Sequence, residues 1–86
     1  MKLPIIRQLS NFIEKNDEDY IHETIEVLED LTEVSSLKED ELNVIGELLS
    51  NLYGSLEVVK AMREEGISQR ESIKKFMDRV LGSIDT

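Results

Sequence analysis

The chain has 86 residues, no cysteine and a formal net charge of −9. This length corresponds to a single domain, which we expect to span residues 1–86, and the lack of thiols excludes disulfides, thiol nucleophiles and cysteine-based zinc sites. No apolar run approaches the ~20 residues of a membrane span, and the run at residues 3–6 is too short for a signal peptide, so we predict a cytoplasmic protein with no membrane partner.

The negative charge is concentrated in the middle of the chain. Residues 1–15 carry a net charge of +2, residues 16–57 a net charge of −12 and residues 58–86 a net charge of +1. An acidic segment of this size repels phosphate backbones, so we expect no nucleic-acid partner. The turn at residues 62–68 departs from a helix-turn-helix pattern, because the apolar residue expected six positions after Gly66 arrives one position late.

Helix 1 is predicted over residues 4–15. Proline is tolerated in the first turn of a helix, and apolar residues follow Pro4 at helical spacing. We expect this apolar face to be buried: Ile5, Ile6, Leu9, Phe12 and Ile13.

Helix 2 is predicted over residues 17–32 or 17–33, after turn residues Asn16 and Asp17. Its inner face is expected to consist of Ile21, Ile25, Leu28 and Leu31, with Tyr20, Thr24 and Val27 at the margins. Its outer face is an acidic stripe with almost no basic neighbours at i+4: Asp19, Glu23, Glu26, Asp30 and Glu33. This stripe is either a solvated face or a docking surface for a basic protein partner.

The single histidine, His22, is the only candidate for acid–base or metal chemistry. Glu18, Asp19 and Glu26 lie three or four residues away on helix 2, so they share its side of the helix. Di-iron bundles need two carboxylate-x-x-His elements and further carboxylates, and only one such element is present. We interpret His22 as a solvated, salt-linked residue and expect no cofactor and no metal, with metal or small-ligand binding at His22 as the alternative function.

Helix 3 is predicted as the longest helix, over residues 37–65. A capping box of Ser36 and Glu39 is expected to start it, and Gly66 is suited to the left-handed position that ends it. A broad apolar stripe runs along one face: Leu42, Ile45, Leu49, Leu52, Leu56 and Val59, widened by Leu48, Tyr53 and Met62.

A row of small residues accompanies this stripe, with Gly46, Ser50 and Gly54 at intervals of four. Glycine inside a helix costs ~1 kcal/mol relative to alanine, so the row indicates a packing role. Three interpretations stay open: helix 1 or helix 2 of the same chain fills the row, a partner chain fills it, or a kink or break at Gly54 splits the helix in two.

Helix 4 is predicted over residues 69–81, with Ser68 and Glu71 forming a second capping box and Gly82 as the C-cap. Its inner face is expected to consist of Ile73, Phe76, Met77, Val80 and Leu81, and Ile84 is expected to fold back on the last turn. Its basic outer face is expected to meet water and the acidic side chains of helix 2, in the same chain or in another: Arg70, Lys74, Lys75 and Arg79.

These lengths predict an all-α, four-helix bundle-like fold with one long central helix packed by three shorter helices. We expect helices 1 and 2 to lie along the first half of helix 3, and helix 4 to lie alone along the second half. Apolar surface is then left around Leu52, Leu56, Val59 and Met62, and a homodimer is expected to bury it. The rival is that helix 1 of the same chain covers this surface. The full candidate interface is Gly46, Leu49, Ser50, Leu52, Tyr53, Leu56, Val59 and Met62.

Three segments are similar to a family of short uncharacterised bacterial proteins of unknown function: residues 1–4 (MKLP), 51–54 (NLYG) and 76–84 (FMDRVLGSI). The resemblance covers the whole chain and implies no activity and no site residue. The sequence contains no nucleophile elbow, phosphate loop or dinucleotide-binding motif. We therefore predict a non-enzymatic protein–protein interaction module, homodimeric and with an acidic surface.

Overall fold

Helices account for most of the residues that the structure describes. The structure is a computed structural model that describes the backbone of residues 2–85 and the side chains of residues 2–80. The helices are α1 (Leu3–Lys15), α2 (Asp19–Leu31), α3 (Glu39–Glu65) and α4 (Gln69–Asp85). Within the described backbone there is no strand, so the predicted all-α fold with one long central helix is confirmed.

The short helix α1 begins one residue before the predicted start and has Pro4 in its first turn. Its inward line is Ile6, Ser10 and Ile13, at steps of four and three. Phe12 was predicted to be buried and is exposed, because it lies one residue, about 100° around the helix, from Ile13. The Asn16 backbone and side-chain amides both donate to the Phe12 carbonyl and end the helix.

The acidic helix α2 is shorter than predicted at both ends. The carboxylate of Asp17 accepts the Asp19 backbone N–H at 2.9 Å just before the helix. Ile21 and Ile25 are buried as predicted, and Leu28 is half-buried. The prediction that Leu31 is buried is wrong, because its place on the helical wheel is about 90° from the line of these three residues.

The central helix α3 is continuous through Gly46 and Gly54, so the interpretation of a break that splits the segment at Gly54 is wrong. Gly66 ends it with φ of +65° and donates its N–H to the Met62 carbonyl, which confirms the predicted cap. The predicted Ser36–Glu39 capping box is wrong. The helix starts at Glu39, and the N–H of Lys38 donates to the Glu41 carboxylate at 2.9 Å. Among the described residues, no helix is both long enough and apolar enough to cross a bilayer.

The final helix α4 starts as predicted, because the Ser68 hydroxyl accepts the Glu71 N–H at 3.1 Å. The prediction of Gly82 as a C-cap is wrong, since the helix continues through it to Asp85. Ile73 and Phe76 are buried and Met77 and Val80 pack beside them, as predicted. The side chains of Leu81 and Ile84, for which burial was predicted, lie outside the described residues.

Two apolar clusters form the core on two sides of α3. One cluster joins α1, α2 and α3: Ile13, Ile21, Ile25, Leu52 and Val59. The other joins α1, α3 and α4: Ile6, Val58, Ile73 and Phe76. Since Val58 and Val59 are adjacent, they point about 100° apart and place one side chain in each cluster.

The three short helices all pack on the C-terminal half of α3. The Lys2 backbone N–H at the start of α1 donates to Asn51 Oδ1 at 3.0 Å, and Glu18 just before α2 pairs with Arg63 at 3.1 Å. The Ser72 hydroxyl on α4 donates to the Val58 carbonyl at 2.7 Å. The predicted arrangement, with helices 1 and 2 on the first half of the long helix, is therefore wrong. The rival holds, because α1 of the same chain covers the second half.

Small buried polar side chains allow this close packing. Ser10 and Ser55 are fully buried, and each hydroxyl donates to a carbonyl of its own helix, of Ile6 and Leu52 respectively. No buried side-chain nitrogen or oxygen of the described residues lacks a hydrogen-bond partner. The hydroxyl of each serine is hydrogen-bonded within its own helix. Because serine is small, neighbouring backbones can approach closely at these positions.

Candidate interaction surfaces

The predicted interface residues of α3 do not form one surface. Leu52 is 5% exposed and Val59 is 0% exposed, because α1 and α2 of the same chain cover them. Leu49, Leu56 and Met62 are half-buried against the two clusters. The remaining members of the set are exposed: Gly46, Ser50 and Tyr53. The expectation of apolar surface around Leu52 and Val59 is therefore wrong.

The row of small residues also divides. Gly54 is buried, whereas Ser50 is exposed. A Cβ atom added to Gly46 would meet nothing within 4 Å. The row therefore leaves the packed part of the molecule as it runs towards the start of α3, and close packing is confined to Gly54.

The uncovered apolar surface lies at the opposite end of α3 from the predicted one. Residues 39–48, which we call the α3 arm, contain no buried residue. Val44 is 59% exposed and Leu48 is 42% exposed. With Ile5 of α1 they form an apolar groove of about 330 Å³ that has Lys2 and Glu47 at its edges.

The acidic stripe of α2 is exposed along its whole length. Asp19, Glu23, Glu26, Asp30 and Glu33 all face solvent. None of the five forms an ion pair within the part of the chain whose side chains are described. The negative charge of the stripe is therefore not compensated by ion pairs with the described side chains.

An apolar row lies beside this stripe on α2. Tyr20, Thr24, Val27 and Leu31 follow one another at steps of four, three and four, and all are exposed. We call this row the α2 seam. Tyr20 is 56%, Val27 60% and Leu31 42% exposed.

The basic side chains of α4 pair with carboxylates of α3 and α4. Lys75 lies 3.0 Å from Glu65, and Arg79 lies 2.6 Å from Glu57. Lys74 pairs with Asp78 on its own helix. The expectation that these cations meet the acidic side chains of helix 2 is wrong within the chain, because α2 and α4 lie on different sides of α3.

The only histidine, His22, faces solvent beside one carboxylate. Its Nε2 lies 3.0 Å from Glu18 Oε2, and the other oxygen of Glu18 accepts a hydrogen bond from Arg63 at 3.1 Å. Asp19 and Glu26, the other neighbours expected from spacing, form no hydrogen bond or ion pair with the imidazole. In the part of the chain that is described, no three His, Asp or Glu side chains come together in a way that could hold a metal ion.

Comparison with known proteins assigns the sequence of the chain to a family. The sequence profile of a family of unknown function, DUF6952, matches residues 1–85. The chain belongs to this family. The predicted resemblance to a family of unknown function is thereby confirmed. Searches of curated proteins and of solved structures found no match.

For this member of DUF6952, the surfaces that reasoning from the sequence missed are the arm groove and the α2 seam. The signal for the seam was present in the spacing of Tyr20, Thr24, Val27 and Leu31, which is that of a second apolar line. The signal for the arm was weaker. Val44 and Leu48 continue a line whose next members, Asn51 and Ser55, are polar, so the line does not stand out by hydrophobicity.

Proposed function

We propose that the protein is a non-enzymatic protein–protein interaction module that forms a homodimer through the α3 arm. The observation that supports this proposal is the inner line of α3. The chain itself covers this line at Asn51, Ser55 and Val58, and leaves it uncovered at Val44 and Leu48. Apolar side chains that stay in contact with water next to a groove are typical of surfaces that bind another protein.

The charges beside the arm groove favour a second copy of the chain as the partner. The groove has one cation at its edge, Lys2, and one carboxylate close to the apolar residues, Glu47. In a two-fold symmetric pair contacts are reciprocal, so an ion pair between Lys2 of one copy and Glu47 of the other forms twice. A surface that carries both signs of charge is complementary to itself.

The small size of the chain gives a second reason for self-association. A domain of this length buries only ~60–65% of the surface that its extended chain exposes, so its stability is limited. Burying Val44 and Leu48 against a second copy removes further apolar surface from water and stabilises the folded state by mass action.

Mass in solution tests the proposal. We expect the wild type to sediment as a dimer of about 20 kDa at micromolar concentration, twice the 9.9 kDa of one chain. An arm variant with Val44→Ser and Leu48→Ser should sediment as a monomer, because it replaces the apolar anchors of the contact.

The α2 seam offers a matched control for this experiment. A seam variant with Val27→Ser and Leu31→Ser changes the same residue types at nearly the same exposure, 60% and 42% against 59% and 42% in the arm. It should stay dimeric. A wild type of 9.9 kDa, or an arm variant that stays dimeric, contradicts the proposal.

The alternative function, metal or small-ligand binding at His22, stays a prediction. A shallow groove of about 320 Å³ lies beside His22 and Glu18 and has Leu56 in its wall. Metal analysis of the purified protein, compared with a His22→Ala variant, decides it. The cytoplasmic location, the lack of a nucleic-acid or membrane partner and the basic protein partner of the acidic stripe also stay predictions.

A further inference from the structure

We infer that α2 is a docking site for a basic amphipathic helix of another protein, which lays its apolar face on the α2 seam and its cations on the acidic stripe. This inference shares with the proposed function the premise that the protein works by binding proteins. It does not depend on the homodimer, because it concerns a different helix and different residues.

The first support is the spacing and exposure of the seam. Tyr20, Thr24, Val27 and Leu31 lie on one face and extend over three turns, a length of about 17 Å. Grooves and helices that bind a partner helix present anchors with this repeat of three and four residues. The core does not use this face, since α2 buries Ile21 and Ile25, whose line lies about 100° around the helix from the seam.

An aromatic pair extends the seam at its N-terminal end. The rings of Phe12 and Tyr20 are arranged edge to face, with centroids 5.8 Å apart and an angle of 80° between their planes. Both rings are exposed to solvent. The contact between them holds each ring in place, and rigid aromatic side chains are the commonest anchors of protein interfaces.

The second support is the charge along one edge of the seam. Glu23 and Asp30 each lie next to the seam on the helical wheel, and Glu26 is one step further around. The ion pairs that the described cations form use carboxylates outside the stripe: Arg63 with Glu18, Lys74 with Asp78, Lys75 with Glu65 and Arg79 with Glu57. The stripe therefore presents a row of carboxylates to which a cationic partner is complementary.

This combination of apolar and acidic residues indicates which kind of partner helix fits the surface of α2. The α2 of a second copy would bring the same acidic row against this one, and like charges across an interface are unfavourable. An acidic partner meets the same repulsion. A helix with apolar residues on one face and Lys or Arg beside them matches both features at once.

Fluorescence anisotropy with synthetic peptides tests the inference on the intact protein. The probe is a labelled amphipathic helical peptide with Leu at heptad spacing and Lys beside the Leu positions. Two matched peptides serve as comparisons: one with Glu in place of each Lys, and one with the same basic composition in scrambled order. We expect only the ordered basic peptide to bind, and its affinity to fall as salt screens the charges.

Matched variants locate the binding site. The seam variant should weaken binding of the basic peptide by about tenfold or more, and the arm variant should bind it as the wild type does. A Glu23→Lys, Asp30→Lys variant should weaken binding by a similar factor at low salt, without changing the seam. Because all four substituted side chains are exposed, circular dichroism should show that these variants keep the wild-type helix content.

Several results would overturn the inference. They are no binding of the ordered basic peptide, equal binding of the scrambled or acidic peptide, or an unchanged affinity in the seam variant. If the seam variant loses self-association in sedimentation, the occupant of the seam is a second copy, and the inference of a basic partner is likewise overturned. Loss of the dimer in the arm variant alone concerns the proposed function and leaves this inference standing.

Discussion

The two halves of α3 have the same helical periodicity and opposite surroundings. In the C-terminal half, α1, α2 and α4 cover the helix, and Leu52, Val58 and Val59 are buried. In the α3 arm no residue is buried, although Leu42, Val44 and Leu48 are as apolar as the residues of the covered half. The comparison shows that one amphipathic helix can contribute to the core at one end and present a binding surface at the other.

The difference depends on which helices reach which half. The start of α1 is fixed at Asn51 by the Lys2 N–H, so α1 covers α3 only from this point onward. The arm therefore projects past the start of α1. Its inner line continues beyond the packed region, and Ile5 of α1 lines a groove with Val44 and Leu48 at the place where the cover ends.

The largest difference in the effect of a substitution on stability is expected between two leucines of α3, Leu52 and Leu48. Leu52→Ala should lower the free energy of unfolding by ~2–5 kcal/mol, because it leaves a cavity in the core. Leu48→Ala should change it by no more than ~0.5–1 kcal/mol in the monomer, since Leu48 is 42% exposed against 5% for Leu52. Urea denaturation measures both. Equal losses at the two positions would contradict the division of α3 into a covered half and an arm.

Substitutions at the two glycines within α3 should have smaller effects on stability, and the two effects should have opposite signs. Gly54→Leu should destabilise the protein by ~1–3 kcal/mol, because Gly54 is buried and a larger side chain overpacks its surroundings. Gly46→Ala should stabilise it by ~0.5–1 kcal/mol, since the position is open and alanine favours the helix. Melting temperatures report both effects. A higher melting temperature for Gly54→Leu would show that the position is not closely packed.

The smallest expected effect is a shift in the pKa of Tyr53, an exposed residue in the covered half of α3. Partial loss of solvent around its hydroxyl, followed by its hydrogen bond to the Glu29 carboxylate, raises the pKa of Tyr53 above its usual value of 10.0. The associated stability is present below pH 10 and is lost as the pH rises through the folded-state pKa. Ultraviolet absorbance in a Tyr20→Phe background measures this titration.

A Glu29→Gln variant separates the two causes. The pKa of Tyr53 should fall only part of the way, because the loss of solvent is the larger cause and the carboxylate the smaller one. An unchanged titration in Glu29→Gln would mean that the contact between α2 and α3 at this point is not formed in solution.

The number and order of helices could be predicted from the sequence, because they depend on local patterns. The apolar period of 3.6 residues located all four helices, and the caps at Gly66 and Ser68 needed only the residues beside them. Two local predictions were wrong, at Ser36 and at Gly82. At the start of α3, Lys38 takes the capping position that was predicted for Ser36. At the end of α4, the helix continues through Gly82 to Asp85. The local pattern alone did not distinguish these alternatives.

The cover of α3 could not be predicted in the same way. Periodicity indicates which side of a helix is apolar, and it does not indicate which neighbour covers that side. The second buried side of α3 carries Asn51, Gly54 and Ser55, which look polar or neutral in sequence. Their burial depends on contacts with α1 and α4, such as the bond from Ser72 to Val58. The half of α3 that stays exposed follows from these long-range contacts.

Hydrogen exchange at two protein concentrations tests most directly whether the arm is the self-association surface. Amides of residues 39–48 should exchange more slowly as concentration rises and the dimer forms, whereas those of α2 should not change. In the arm variant this dependence should disappear. Arm exchange that is independent of concentration, or slowing confined to α2, would contradict the account.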